Sequence, residues 1–249
     1  MDADDRKGVR GMKCYQSHVD ELRAHLTADN EYRCVAKQLL HMHEEVSARA
    51  NPIVVELGVN TGNSTKMFLN AIDDKPAAKL VSIDICDFSH SAESDRWTFA
   101  QQDSTDVTAL IEKAPFLKNG IDVLYVDSLH TAEHVKKEVY GYYPYLNKGA
   151  VIFFDDVDSA PYMQGQRKDS IETEIANRSI FKLLSGIFRA NIEQIDFTVM
   201  YGSTGLGRFD KLVSIGKILA EPALVAERDG ATLFSRVFSS FQGGKTAST

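Results

Sequence analysis

This chain's fold is decided by one stretch, Ile53-Val54-Val55-Glu56-Leu57-Gly58-Val59-Asn60-Thr61-Gly62-Asn63-Ser64-Thr65. Its first five residues are mostly apolar and β-branched, which predicts a strand buried on both faces. Gly58 and Gly62 then allow a sharp turn and a close approach of a ligand to bare backbone. Apolar residues at helical spacing follow, so we expect Asn63 or Ser64 to cap a helix. The free amides at such a helix start favour a polar ligand.

The rest of the chain alternates between strand-like and helix-like segments. Further strands are predicted at Lys79–Ile85, at Trp97–Ser104 where the strand runs into a polar loop, at Ile121–Asp127 and at Gly149–Asp156 after an Asn147-Lys148-Gly149 turn. Helices are predicted at Tyr15–Leu26, at Tyr32–Ala48 and from Ser170 to about Ala190, and an antiparallel hairpin at Ile195–Tyr201 and Leu206–Phe209. This alternation predicts an α/β fold with an open, mainly parallel sheet.

The periodicity divides the chain into three expected parts. Residues 1–49 form an N-terminal helical extension, residues 50–215 the ligand-binding core, and residues 216–249 a C-terminal helix over 223–241 with a disordered tail. The tail contains Gly-Lys-Thr, which is not a phosphate loop because no strand or helix flanks it.

Composition excludes several classes of protein. There are 35 acidic against 28 basic residues, a formal charge of −7, which disfavours nucleic acid as a partner. No apolar run approaches the roughly 20 residues that cross a bilayer, and the charged N-terminus does not resemble a signal peptide. The three cysteines are scattered without metal-type spacing, so we expect reduced thiols and a cytoplasmic location.

Acidic residues recur at the carboxyl ends of the predicted strands, where ligands bind in such sheets. They are Glu56, Asp84, Asp103, Asp127, Asp155 and Asp156. Asp84 follows Gly62 by the interval at which a carboxylate accepts ribose hydroxyls. Asp87 is a nearby rival for that role, and a helix cap or a loop contact is the simpler alternative for Asp84. Glu56 has a structural alternative too, in which its side chain only caps neighbouring residues and does not contact a ligand.

The spacing Glu56-x-Gly58-x-x-x-Gly62 resembles the first motif of the class I S-adenosylmethionine-dependent methyltransferases, with Asn60 in place of the middle glycine. The resemblance implies a seven-stranded, mostly parallel, Rossmann-like methyltransferase sheet that ends in an antiparallel hairpin, with extra helices at both ends. It also implies an S-adenosylmethionine site, formed by Glu56, Gly58, Asn60, Gly62, Ser64, Asp84, Asp103, Ser104 and Asp127, in which Asp84 holds the ribose and Asp103 with Ser104 the adenine edge. The same spacing is wrong for a nicotinamide dehydrogenase.

A narrower resemblance rests on Asp127-Ser128-Leu129-His130 and Asp155-Asp156. Over roughly residues 50–160 the chain is similar to sugar O-methyltransferases of macrolide biosynthesis and to the cephalosporin-hydroxylase-like group. That similarity implies a magnesium ion held by Asp127, Asp155 and Asp156, and His130 as general base. In the alternatives, His130 caps the next helix and the aspartates hold loop amides. His134 is expected on the surface.

The resulting hypothesis is an O-methyltransferase acting on a hydroxyl of a small molecule, a sugar or glycosylated natural product, in a homo-oligomer without nucleic-acid or membrane partners. A catechol-type O-methyltransferase and a non-catalytic protein that binds the same cofactor are the alternatives. His41, His43, Glu44 and Glu45 resemble metal ligands in type, but without a further ligand nearby we interpret them as a solvated helix face.

Overall fold

A computed structural model describes residues 14–30 and 32–222 of the chain. The α-helices are α1 (Gln16–His25), α2 (Tyr32–Ser47), α3 (Asn63–Ile72), α4 (Val107–Lys113), α5 (Ala132–Tyr142) and α6 (Ile171–Ala190). The strands are β1 (Ile53–Leu57), β2 (Lys79–Asp84), β3 (Trp97–Gln101), β4 (Ile121–Val126), β5 (Leu146–Phe154), β6 (Ile195–Met200) and β7 (Leu206–Lys211). Short 3₁₀ turns lie at Pro115–Asn119, Tyr143–Tyr145 and Ala160–Tyr162. The predicted helix over 223–241, the tail and the first ten residues lie outside the described residues.

The strands form one seven-stranded sheet in the order β3-β2-β1-β4-β5-β7-β6. Strands β1 to β5 run parallel, and β7 is antiparallel to both β5 and β6. The predicted mostly parallel sheet with a terminal hairpin is therefore confirmed. Because the order reverses between β1 and β4, the loops after these two strands diverge and leave a crevice at the carboxyl edge.

Alternation along the strands divides the interior into two apolar layers. Val55, Leu57 and Leu124 face helices α4, α5 and α6 in one layer. Val54, Tyr125 and neighbouring side chains face α1, α2 and α3 in the other. Both faces of the central strands are thus covered, as their continuous apolar sequence predicts.

Helices α1 and α2 share their core with the sheet and with α3, as Val19, Met42 and Val46 are all buried in the second layer. The expectation of a solvated face on α2 is wrong for His43 and Glu45, whereas Glu44 is exposed as expected. His43 is 8% exposed and its Nε2 lies 2.8 Å from Asn70 Oδ1. Glu45 accepts hydrogen bonds of 2.8 Å from Arg49 and 2.8 Å from Arg208, so this face docks on the sheet.

Two local predictions differ from the structure. Strand β5 begins at Leu146, before the expected turn, because its pairing with β4 shifts register between Ile121 and Val123 and so absorbs Gly149 inside the strand. The N-cap of α3 is Gly62, without a side-chain cap, instead of Asn63 or Ser64. Within the described part of the chain, no helix combines the length and apolarity needed to span a bilayer.

Candidate functional site

The loop after β1 is held against two neighbouring strands. Gly58 has φ +97, its N–H donates to Ile83 O at 2.8 Å, and a Cβ there would come within 2.0 Å of Asp127 O. Asp84 Oδ2 accepts from the amides of Val59 at 2.9 Å and Asn60 at 3.4 Å. Gly58 therefore permits close backbone packing of β1 on β4, and Asp84 fixes the loop that follows.

Glu56 lies beneath this loop and not in the cleft. Its side chain is fully buried, and its two oxygens accept from Ser64 Oγ at 2.5 Å, Thr65 Oγ1 at 2.7 Å and Ser82 Oγ at 2.6 Å. Burial raises the pKa of Glu56 to about 7. The resemblance assigned Glu56, Gly62 and Ser64 to direct ligand contact, whereas in the structure Glu56 and Ser64 connect helix α3 to β1 and Gly62 is the N-cap of α3.

A cavity of about 530 Å³ opens at the carboxyl edge of β1, β2, β3 and β4. Its walls include the predicted residues Gly58, Asn60, Asp84, Asp103, Ser104, Asp127 and His130, together with Val59, Ile83, Ile85, Gln102, Ser128, Leu129 and His134. Ile85 and Leu129 are 69% and 57% exposed, so each presents an aliphatic surface to the cavity. The rival Asp87 does not line it, because its carboxylate accepts from Ser89 N at 3.0 Å.

One end of the cavity, here called the serine end, is formed by Gln102, Asp103, Ser104 and Ser128. Both serine hydroxyls donate to the same atom, Oε1 of Glu138, at 2.5 Å each. Asp103 Oδ1 accepts from the amide and the hydroxyl of Thr105, both at 2.8 Å. The hydrogen bond from the Thr105 amide lowers the pKa of Asp103. The structure thus brings Asp103 and Ser104 together at one end of the cleft.

Asp127 and His130 line the cavity as well, and they form a carboxylate cluster with Asp155 and Asp156, which do not line it. His130 Nδ1 lies 3.0 Å from Asp156 Oδ2, and its Nε2 lies 3.6 Å from Asp127 Oδ1. Asp155 Oδ1 accepts from Thr204 Oγ1 at 2.8 Å. Asp127 and Asp156 therefore flank one imidazole, whereas the same Oδ1 of Asp155 also accepts from the amide of Asp156 at 2.9 Å.

Electrostatic repulsion marks this cluster. Burial, and then the charge of Asp155, raises the pKa of Asp127 well above its ordinary value. The same two causes raise the pKa of Asp156 to about 6, although His130 opposes the shift. Asp156 also adopts a left-handed backbone with φ 58, a conformation that aspartate tolerates better than most residues.

The donor set of the cluster fits a hard divalent cation, because three crowded carboxylates supply oxygen ligands and a cation would relieve their repulsion. Among the described residues, however, no group of three or more His, Cys, Asp or Glu side chains stands in metal-binding geometry. A cation would therefore require the carboxylates of Asp127, Asp155 and Asp156 to turn toward one point.

Sequence reasoning missed two residues of α5. His134 was expected on the surface, yet it lines the cavity, with Nε2 3.0 Å from Ser104 Oγ and 3.2 Å from Glu138 Oε1. Glu138 is 0% exposed on the apolar face that also carries Val135 and Val139. The available signal was the position of Glu138 itself, a charge inside an apolar stripe and one turn after a histidine.

Comparison with known proteins agrees with this architecture. Residues 55–157 match a family described as a methyltransferase domain. The MycE methyltransferase of the mycinamycin biosynthetic pathway, solved with Mg, SAH and mycinamycin VI, is 18% identical at a TM-score of 0.54 over 82% of this chain. This chain spans 56% of the MycE chain. No curated protein matches.

Two other solved structures are similar to the chain over most of their own length. SAH-bound PaMTH1 of Podospora anserina is 15% identical at a TM-score of 0.55, over 82% of this chain and 89% of that one. Cofactor-bound Rv0187 from MTB is 16% identical at 0.53, over 83% and 93%. Residues 55–157 of this chain therefore match a methyltransferase-domain family, and the likeness to these solved structures shows that the chain shares their fold.

Proposed function

We propose that this chain transfers a methyl group from S-adenosylmethionine to a hydroxyl of a small molecule, a sugar or a glycosylated natural product, with the help of magnesium. One observation carries the proposal: a single cavity is lined both by His130 with Asp127 and by the residues of the serine end. A donor and an acceptor bound side by side in such a cleft react as if within one molecule, which favours transfer by up to about 7–11 kcal/mol.

The cofactor would lie along the cavity between the serine end and His130. Asp84 Oδ2 accepts from Val59 and Asn60, and its Oδ1 accepts from Cys86 N at 2.9 Å, which leaves a lone pair on Oδ1 for a ribose hydroxyl. A flat base fits between the exposed aliphatic faces of Ile85 and Leu129, where it buries apolar area. The electrophilic methyl group would then point toward Asp127 and His130.

His130 would act as the general base. Because Nδ1 lies 3.0 Å from Asp156 Oδ2, we assign the ring proton to Nδ1, which leaves Nε2 as an acceptor. Nε2 is 3.6 Å from Asp127 Oδ1, too far for a hydrogen bond. Its lone pair would therefore be available to take the proton of the acceptor hydroxyl as that oxygen bonds to the methyl carbon and the sulfur–methyl bond breaks, which releases S-adenosylhomocysteine.

Asp127, Asp155 and Asp156 would hold the cation. When bound, S-adenosylmethionine supplies the methyl group and magnesium lowers the pKa of the acceptor hydroxyl. Asp156 contacts His130 through Oδ2, so its Oδ1 remains for the cation. The carboxylates of this chain would thus orient both the base and the acceptor.

Turnover with labelled S-adenosylmethionine and a panel of acceptors tests the proposal. Sugars and glycosylated compounds should be methylated on oxygen, chelation should abolish turnover, and magnesium should restore it. Preferred methylation of planar catechols would instead support the phenol-type alternative. Turnover that persists after thorough chelation would remove the metal from the proposal and leave His130 as base alone.

Two substitutions separate the base from the metal ligands. His130→Ala should lower turnover by about 10²–10⁴-fold and recover partly at higher pH, the behaviour of a lost general base. Asp127→Ala should abolish turnover, with rescue only at high magnesium. Neither should alter cofactor affinity greatly. A His130→Ala variant with normal turnover and a lowered melting temperature would make the histidine a structural cap.

A further inference from the structure

Glu138 connects the two loops that form the serine end of the cavity. Ser104 follows β3 and Ser128 follows β4, and the Oε1 atom of Glu138 on α5 accepts a 2.5 Å hydrogen bond from each hydroxyl. His134 Nε2 approaches the same atom at 3.2 Å. All three partners of Glu138 line the cavity, whereas Glu138 is buried behind them.

This arrangement is costly for a residue with a structural role alone. Glu138 is 0% exposed, burial raises its pKa, and its Oε2 is buried without a hydrogen-bond partner. A buried carboxylate without a full set of partners is less stable than a packed apolar side chain of similar size. The position of its contacts, on the cavity wall, points to a role in ligand binding.

The contacts of Glu138 decide which hydrogen bonds the serine end can offer. A serine hydroxyl has one proton and two acceptor lone pairs. The protons of Ser104 and Ser128 are both donated to Oε1 of Glu138. Each serine can therefore only accept a hydrogen bond from a ligand.

One neighbouring side chain has the same polarity. Asp103 is a carboxylate whose pKa is lowered, so it too can only accept. Gln102 differs, because its Nε2 donates to Asp106 O at 3.0 Å and its Oε1 is buried without a partner. The two serines and Asp103 thus present oxygen acceptors at the serine end.

We infer that Glu138 is a positioning residue for base specificity: it holds both serine protons inside the protein, so the serine end accepts a base that carries an amino group and rejects one that carries a keto group there. This inference rests on the proposed function, because it takes the base of S-adenosylmethionine as the occupant. A keto oxygen placed against these acceptors would lose the hydrogen bonds that it makes to water, and the acceptors would be left without a donor.

Calorimetric binding of two probes tests the inference. S-Adenosylhomocysteine carries an amino group on its base, and S-inosylhomocysteine carries a keto group at the same position. The full-length chain should prefer the amino probe by at least about tenfold, which corresponds to about 1.4 kcal/mol. In Glu138→Gln the amide can donate to one serine and release its proton toward the ligand, so the preference should fall at least about fivefold.

Controls separate this role from stability. Glu133→Gln alters an exposed carboxylate of the same helix that pairs with Lys137 at 3.0 Å, and it should retain the full preference. If Glu138→Gln does not fold, Ser128→Ala decides, since loss of one acceptor should also reduce the preference. An unchanged preference in a folded Glu138→Gln, or in Ser128→Ala, would overturn the inference.

The outcomes for the unmodified chain distinguish the two proposals. Equal binding of both probes would overturn the role of Glu138 and leave the proposed function intact. Binding of neither probe would overturn the proposed function and this inference together. A melting temperature that falls in Glu138→Gln while the preference stays unchanged would assign Glu138 to stability alone.

Discussion

The acidic residues at the strand ends have different roles although their positions in the sequence are equivalent. Glu56 is fully buried and bound by three hydroxyls, whereas Asp84 lines the cavity and holds backbone amides. Ser82, which donates to Glu56, also accepts from Trp97 Nε1 at 2.9 Å. One carboxylate therefore ties β1, β2, β3 and α3 together beneath the ligand loop.

Glu56 should make folding stability depend on pH. Its pKa rises from 4.5 in the unfolded chain to about 7 in the fold, mainly because of burial. Between these values the folded chain binds a proton that the unfolded chain has lost, so stability should fall as pH rises from about 4.5 to 7, by at most about 3 kcal/mol. Denaturant unfolding across this range, compared with Glu56→Gln, isolates the effect, because glutamine does not titrate.

Glu56→Ala provides the second half of the test. It leaves three buried hydroxyls without an acceptor, and each should lower the free energy of unfolding by about 1–3 kcal/mol. A stability difference between wild type and Glu56→Gln that is constant across the pH range would show that Glu56 does not carry the raised pKa.

Sequence patterns predict which residues reach the ligand edge better than which ones contact the ligand. Asp84, Asp103, Asp127 and His130 were predicted there and all line the cavity. Glu56 was assigned to the ligand because the motif gives its position and not the direction of its side chain. Glu138 was missed because its partners, Ser104 and Ser128, are 34 and 10 residues away and meet only in the fold.

At the scale of elements, the site depends on close packing between the loop after β1 and the end of β4. Gly58→Ala should be strongly destabilising, because its Cβ would come within 2.0 Å of Asp127 O and its φ is +97. The loop would have to move away from β4, which also displaces Asp127 from the cavity wall. Thermal unfolding and cofactor binding should both be impaired.

Gly149→Ala is the matched control for Gly58→Ala. Gly149 has φ +79, but nothing lies within 4 Å of its added Cβ. Gly149→Ala should therefore lower the free energy of unfolding only by the backbone strain, of order 1–3 kcal/mol. Equal losses of stability in the two variants would contradict the steric account of Gly58.

Helices and strands could be predicted from the sequence where a periodic pattern of apolar residues extends over the whole element. The alternating strands and the long helix α6 needed only periodicity, and Ser170, where the helix was predicted to begin, caps α6 by accepting from Thr173 N. The start of β5 was not predictable, since it depends on a register shift against β4. The predicted N-cap of α3 was wrong because the Ser64 hydroxyl donates to buried Glu56, a contact between two elements that the local sequence does not show.

On the scale of the whole molecule, the helices before β1 belong to the same core as the sheet. Met42 of α2 is 1% exposed within the second apolar layer. Met42→Ala should lower the free energy of unfolding by about 2–5 kcal/mol in one cooperative transition. Lys37→Ala, at an exposed position of α2, should change it by no more than about 0.5 kcal/mol. A separate early transition in Met42→Ala would instead show that α1 and α2 unfold on their own.

The central claim is that the cavity at the carboxyl edge binds S-adenosylmethionine, and calorimetry with S-adenosylhomocysteine tests it most directly. We predict one binding site per chain, weakened by about 1–3 kcal/mol in Asp84→Ala because ribose hydroxyls lose their acceptor. Asp87→Ala, which removes a nearby carboxylate outside the cavity, should bind as the wild type does, and NAD should not bind comparably. Absence of binding by the wild-type chain, with and without magnesium, would contradict the claim.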